Sequence, residues 1–291
     1  MIKKTIGVLL ALAVCGGFST EAFDKLISNT KPYFSETTLH ANGIRQEQAE
    51  DEPRREINTG KKMRLEIPAF LTDRPEEVVW HTGYTVSFNR KTKLPNWVAW
   101  ELTRSRTYGE FTRSDSFEPD PMIRKGHTAE DTDYRRSGYD RGHMCPAADN
   151  KYSKRAMTEC FYFSNICPQL HSLNGGDWKE LEEKCRKWAR QYGSIYIACG
   201  PIVNSKRPRT IGRNRIVVPD AFYKVVMRKT KDNGTTAIGY VFKHGKQNRP
   251  LHTYAMSVDE VEKMTGIDFF SKMPKHIQNK MEASYKLQDW R

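Results

Sequence analysis

One run of this chain has a clear period. Trp178, Leu181, Cys185, Trp188 and Tyr192 recur at steps of three and four, with Lys179, Glu183, Lys184, Arg186, Lys187 and Arg190 between them. That spacing predicts an amphipathic helix of about four turns ending at Gly193, with the Trp and Cys stripe facing a core. Runs rich in β-branched and aromatic residues flank it. Residues 78–80, 84–88 and 97–102, with a turn at 89–93, read as a β-meander. Residues 194–198, 216–218, 222–227 and 237–242 follow as strands, with turns at 231–234 and 243–245. Late helices are expected over 258–264, behind Ser257 as N-cap, and over 274–285. No internal repeat is present. The expected class is α+β: a mixed, largely antiparallel β-sheet with flanking helices, forming a single domain over 63–291.

The residues before that domain have another character. Lys3 and Lys4 precede a short apolar run over 6–14, followed by the small residues Gly16 and Gly17. This reads as a signal peptide over 1–22, which predicts a secreted or periplasmic protein. The run is too short to remain as a membrane-spanning helix. A lipoprotein anchored at Cys15 is the alternative. Residues 23–62 read as a polar linker; 46–56 have almost no apolar content, cannot feed a core and are expected to be disordered. Cys145, Cys160, Cys167, Cys185 and Cys199 remain after the signal, an odd number, so at least one is free or pairs between chains. Cys160, Cys167, His171 and Cys185 lack the spacing of a zinc site and read as buried thiols.

Charge narrows the partners. The chain carries 48 Lys and Arg against 35 Asp and Glu, a formal net charge of +13. Such a surface attracts polyanions, nucleic acid first and anionic membrane second. The segment 103–137 is a charged stretch with little periodicity, read as one long loop.

The chemistry gathers between Tyr134 and Glu182. In Asp140-Arg141-Gly142-His143, a histidine with a carboxylate nearby can serve as a neutral base for water. Arg141 offers a planar fork of donors to a phosphate. Gly142 permits close backbone approach or a positive φ. Asn174, in Leu-Asn-Gly-Gly, is either a turn or cap residue or a neutral, hard oxygen ligand suited to Mg²⁺. Glu182 is eight residues on. On one continuous helix the two would stand about 12 Å apart, so Glu182 would act through a metal-bound water or else pair with Arg186.

These residues carry a resemblance. Asp-Arg-Gly-His-Met with Pro146-Ala147, then Ser-Asn-Ile-x-Pro-Gln from Ser164, then Leu-Asn-x-x-x-Trp-x-x-Leu-Glu from Leu173, resemble the DNA/RNA non-specific endonucleases, the ββα-metal nucleases that include endonuclease G. The similarity runs from about Trp80 to Phe270. It implies a ββα-metal catalytic core and hydrolysis of DNA and RNA that leaves a 5′-phosphate. It implies His143 as general base, Asn174 as the one direct protein ligand of Mg²⁺ (Mn²⁺ being the other candidate) and Glu182 as orienting the ion's water shell. Arg141 is implied to contact phosphate, and Asn165 to support the site. An upstream arginine that steadies the transition state matches Arg113 best, ahead of Arg135 and Arg136. A homodimer and a protein inhibitor are further partners the resemblance allows. Against the enzyme stand three readings: an inactive nucleic-acid-coating protein, a sequence-specific ββα-metal endonuclease, and a lipid-anchored structural protein. The joint presence of His143, Asn174 and Glu182 favours the enzyme, and no zinc finger or helix-turn-helix is present to read bases.

Overall fold

Each strand-type run of the sequence forms a strand, and both late helices form. The computed structural model describes residues 63–245 and 248–291, which fall within the unit Thr59–Arg291. The expected signal, Cys15 and the 23–62 linker lie outside the described residues.

Strands β1 (Glu77–Trp80), β2 (Thr85–Asn89) and β3 (Leu94–Thr103) make the meander. A long connection holding one helical turn, α1 (Asp131–Tyr134), leads to β4 (Asp140–His143). Helix α2 (Lys154–Glu159), strand β5 (Ile166–Gln169) and the short helix α3 (His171–Asn174) follow. The periodic run becomes α4 (Asp177–Tyr192), stopped by Gly193 at φ +90°. Then come β6 (Ser194–Ile202), the small pair β7 (Thr210–Ile211) and β8 (Ile216–Val217), β9 (Ala221–Lys229), β10 (Thr235–Lys243) and β11 (Ala255–Met256). Helices α5 (Val258–Thr265) and α6 (Lys275–Glu282) come last. Ser257 caps α5 through a reciprocal pair of bonds with Glu260, as a Ser three residues before a Glu allows.

Seven strands form one sheet in the order β1-β2-β3-β6-β9-β10-β11, every ladder antiparallel. Both faces are covered. Val98, Trp100 and Leu102 of β3 point with Ile195, Ile197, Phe222 and Val226 toward α4, where they meet Trp178, Leu181, Cys185 and Trp188. Trp97 and Ala99 point the other way, with Ala198, Tyr223 and Val225, into a second core with Val258, Val261, Phe269 and Met281. Strict alternation along β3 therefore feeds two cores. Burying one Leu- or Phe-sized side chain contributes about 1.5–3 kcal/mol, so the stripe on α4 fixes that helix firmly on its face of the sheet. No helix among the described residues is long and apolar enough to cross a membrane.

Candidate active site

Beside α4, β4 and β5 pair as a separate two-stranded ribbon, with Asp140 opposite Gln169 and His143 opposite Ile166. Gly142 is required for close approach and not for an unusual φ. A Cβ there would stand 2.3 Å from Oε1 and 2.6 Å from Cβ of Gln169. Alternation along β4 puts Arg141 and His143 on one side and Asp140 on the other.

On the first side lies an aromatic pair. Phe117 and Phe161 meet edge to face at 5.0 Å. The His143 ring is 4.9 Å from Phe161 and 5.5 Å from Phe117. Arg113 lies over Phe161 at 5.3 Å, and Arg141 over Phe117 at the same distance. The rings thus hold two guanidiniums around one imidazole. Arg113 pairs with Asp115 and Arg141 with Asp131 at 2.5 Å. His143 is 7% exposed, and its Nε2 meets no hydrogen-bond partner among the described residues. Burial, and then the Arg113 charge, push its pKa down to about 3, with Asp115 opposing. The imidazole is therefore neutral at neutral pH. Desolvation achieves this, and the Asp140 carboxylate expected to help does not face the ring.

Asn165 sits behind the ribbon, fully buried. Its Oδ1 accepts from the Cys145 N–H at 2.8 Å, and its Nδ2 donates to the Cys145 and Cys160 carbonyls at 2.9 and 2.8 Å. Its own carbonyl accepts the Met144 N–H at 2.9 Å. Its amide atoms tie the chain that leaves His143 to the C-terminal end of α2.

On the second side, Asp140 Oδ2 accepts from Asn174 Nδ2 at 2.9 Å and lies 2.8 Å from His171 Nδ1. Asn174 and Glu182 do not share a helix, as a single amphipathic helix had implied. Asn174 is the last residue of α3, and Gly176, at φ −106° and ψ −118°, breaks the chain before α4. A Cβ on Gly176 would stand 2.4 Å from the Ser172 carbonyl oxygen, so the break needs glycine. Glu182 lies on α4, where burial pushes its carboxyl up to about 7 while Lys224 and Arg186 pull it down. Arg186 makes its 3.1 Å ion pair with Asp149 and not with Glu182. The Trp178 indole N–H links α4 to β4, donating to the His143 carbonyl at 3.2 Å.

These donors fit a hard divalent ion. Since Asn174 gives its N–H to Asp140, its Oδ1 is the end left to ligate, and a fixed carboxylate adds negative potential beside it.

Residues 63–276 match the family model described as DNA/RNA non-specific endonuclease. The chain belongs to that family. Its members are metal-dependent enzymes that hydrolyse nucleic acid. The mitochondrial nuclease EXOG of Danio rerio is 33% identical over 236 residues, covering 76% of this chain and 68% of that protein. The Xenopus laevis counterpart is 33% identical over 66% of this chain and 58% of its own length. Human endonuclease G, also mitochondrial, is 30% identical over 64% of this chain and 67% of its own. A crystal structure of an EndoG/EndoGI complex, concerned with EndoG inhibition, superposes with a TM-score of 0.65 at 28% identity, covering 69% of this chain and 89% of that one.

For this endonuclease the sequence named six site residues; the structure groups His143, Arg141 and Arg113, and sets Asn165 directly behind them. Phe117, Phe161 and the buried Lys224 were not found, and His171 was weighed only as a zinc ligand. The two phenylalanines sit 44 residues apart in sequence with no shared period, so only folding reveals them as a pair. Cys160, Cys167 and Cys185 are free and buried, whereas the His171 side chain is 88% exposed, so they form no site together.

Proposed function

We propose that this chain is an exported, Mg²⁺-dependent endonuclease that cleaves DNA and RNA with little sequence preference, using His143 as general base. The observation that carries this reading is the His143 imidazole packed against the same aromatic pair that carries the Arg113 and Arg141 guanidiniums. His143 takes a proton from water, Nδ1 being the nitrogen left to receive it because Nε2 is enclosed. The water oxygen attacks phosphorus, and the bond to the leaving sugar oxygen breaks on the opposite side. Arg113 and Arg141 exchange their carboxylate partners for phosphate oxygens and offset the charge that develops there. Asn174 would hold Mg²⁺ through Oδ1, with Glu182 ordering water around it, and the ion supplies positive charge beside the phosphate oxygens. Contacts of this kind read phosphate and not base edges, which favours weak sequence discrimination.

Export rests on Lys3, Lys4 and the apolar run behind them, since the relatives above carry mitochondrial names. The EndoG/EndoGI complex supports a protein inhibitor as a further partner; a homodimer rests on the family resemblance alone.

Incubation with supercoiled plasmid tests the reading. Mg²⁺ should give a smear and EDTA should leave the plasmid intact. Discrete bands would point to a sequence-specific enzyme, and no cleavage to a binding protein.

The pH profile probes the base. With His143 held near 3, lowering the pH through 6.5 protonates little of it. The limb of kcat/KM belonging to His143, which reports the free enzyme, should therefore fall below pH 5. A limb near 7 that disappears in Glu182→Gln belongs to the Glu182 carboxyl. A limb at about 6.5 that persists in that variant would contradict a desolvated base.

A further inference from the structure

The sheet face opposite the nuclease centre carries a second set of hard donors. Asp259 and Glu262 stand three residues apart on α5, on one side of that helix. Glu282 is the last residue of α6. One carboxylate oxygen from each lies within 4.8 Å of the other two. Asp259 and Glu262 are half-buried, and Glu282 is only 2% exposed. The Oε1 of Glu282 meets no hydrogen-bond donor among the described residues. Glu262 uses Oε1 to accept the Phe269 N–H at 2.7 Å, which leaves Oε2 uncommitted by that bond.

A buried carboxylate beside two others, with an oxygen that meets no donor, is unfavourable unless a cation or a proton joins it. The basic group acting on Glu262 is Lys275. Its Nζ is engaged with Gln278 Oε1 at 3.1 Å. Asp268 adds further negative charge from the α5–α6 connection and is held by Gln278 Nε2 at 2.6 Å. Burial, and then the neighbouring Glu262, push Glu282 up to about 8.

We propose that Asp259, Glu262 and Glu282 bind a calcium ion that clamps α5 to α6. Three carboxylate oxygens are a donor set for a hard cation and not for zinc or copper. Calcium accepts several carboxylate oxygens in a flexible geometry, whereas magnesium keeps several waters and is seldom held by protein carboxylates alone. Donors drawn from two helices, with Glu282 buried, form such a protein-only set. Val258 and Val261 of α5 and Met281 of α6 share one core, so an ion there would tie together two helices that already pack. It is a structural site, separate from the proposed Mg²⁺ ligand Asn174.

Thermal unfolding of the full chain tests this, in an Asn174→Ala background that removes the proposed catalytic ligand. Millimolar Ca²⁺ should raise the midpoint by about 3 °C or more over EDTA, the scale for an ion well above its Kd. Glu282→Gln and Asp259→Asn should each abolish the rise. Should Glu282→Gln fail to fold, Asp259→Asn, on the half-buried rim, decides. No rise with Ca²⁺, a rise undiminished in Asp259→Asn, or an equal rise with Mg²⁺ would overturn the assignment.

Discussion

His143→Ala should lower kcat by at least about 10²-fold, the usual scale for losing a general base, while affinity for DNA persists. The two halves of that expectation come from different residues. In the proposed mechanism proton abstraction uses the His143 imidazole. Binding uses the Arg113 and Arg141 guanidiniums, which rest on Phe161 and Phe117 and not on the His143 ring. The variant also loses the ring's contacts with both phenylalanines, so its unfolding midpoint has to be measured alongside. Single-turnover cleavage and an electrophoretic binding assay separate chemistry from affinity. Cleavage at the wild-type rate would remove His143 from the mechanism.

Asn174→Ala should raise the Mg²⁺ concentration for half-maximal activity by at least about 10-fold. That is the lower end of what losing even an outer partner of a metal ligand costs, and a direct ligand should not cost less. The structure adds a companion. Asp140→Ala leaves the Asn174 amide without the acceptor that orients it, and should shift the metal titration in the same direction by a smaller factor. A titration curve unchanged in Asn174→Ala would show that the ion is held elsewhere.

Much of the fold was legible because it is written in local periods. The step of three and four from Trp178 to Tyr192 gave α4, and runs rich in β-branched and aromatic residues gave β2, β3, β9 and β10. The break between Asn174 and Asp177 was left open, since two glycines in a row can either continue a helix or interrupt it. What decides is the 2.4 Å a Cβ on Gly176 would leave to the Ser172 carbonyl oxygen, a contact no local pattern encodes.

The sequence by itself determined the family: its ordered motifs from Asp140 to Glu182, on a chain of net charge +13, resemble the DNA/RNA non-specific endonucleases. That resemblance, and not spacing alone, implied the candidate residues. Only the tertiary structure decided how each is tuned. Alternation along β4 turned Asp140 away from His143 and toward Asn174. Burial against Phe117 and Phe161, which come from distant parts of the chain, made the imidazole neutral. Electrostatic tuning depends on distance and desolvation in three dimensions, and those are set by packing between segments remote in sequence.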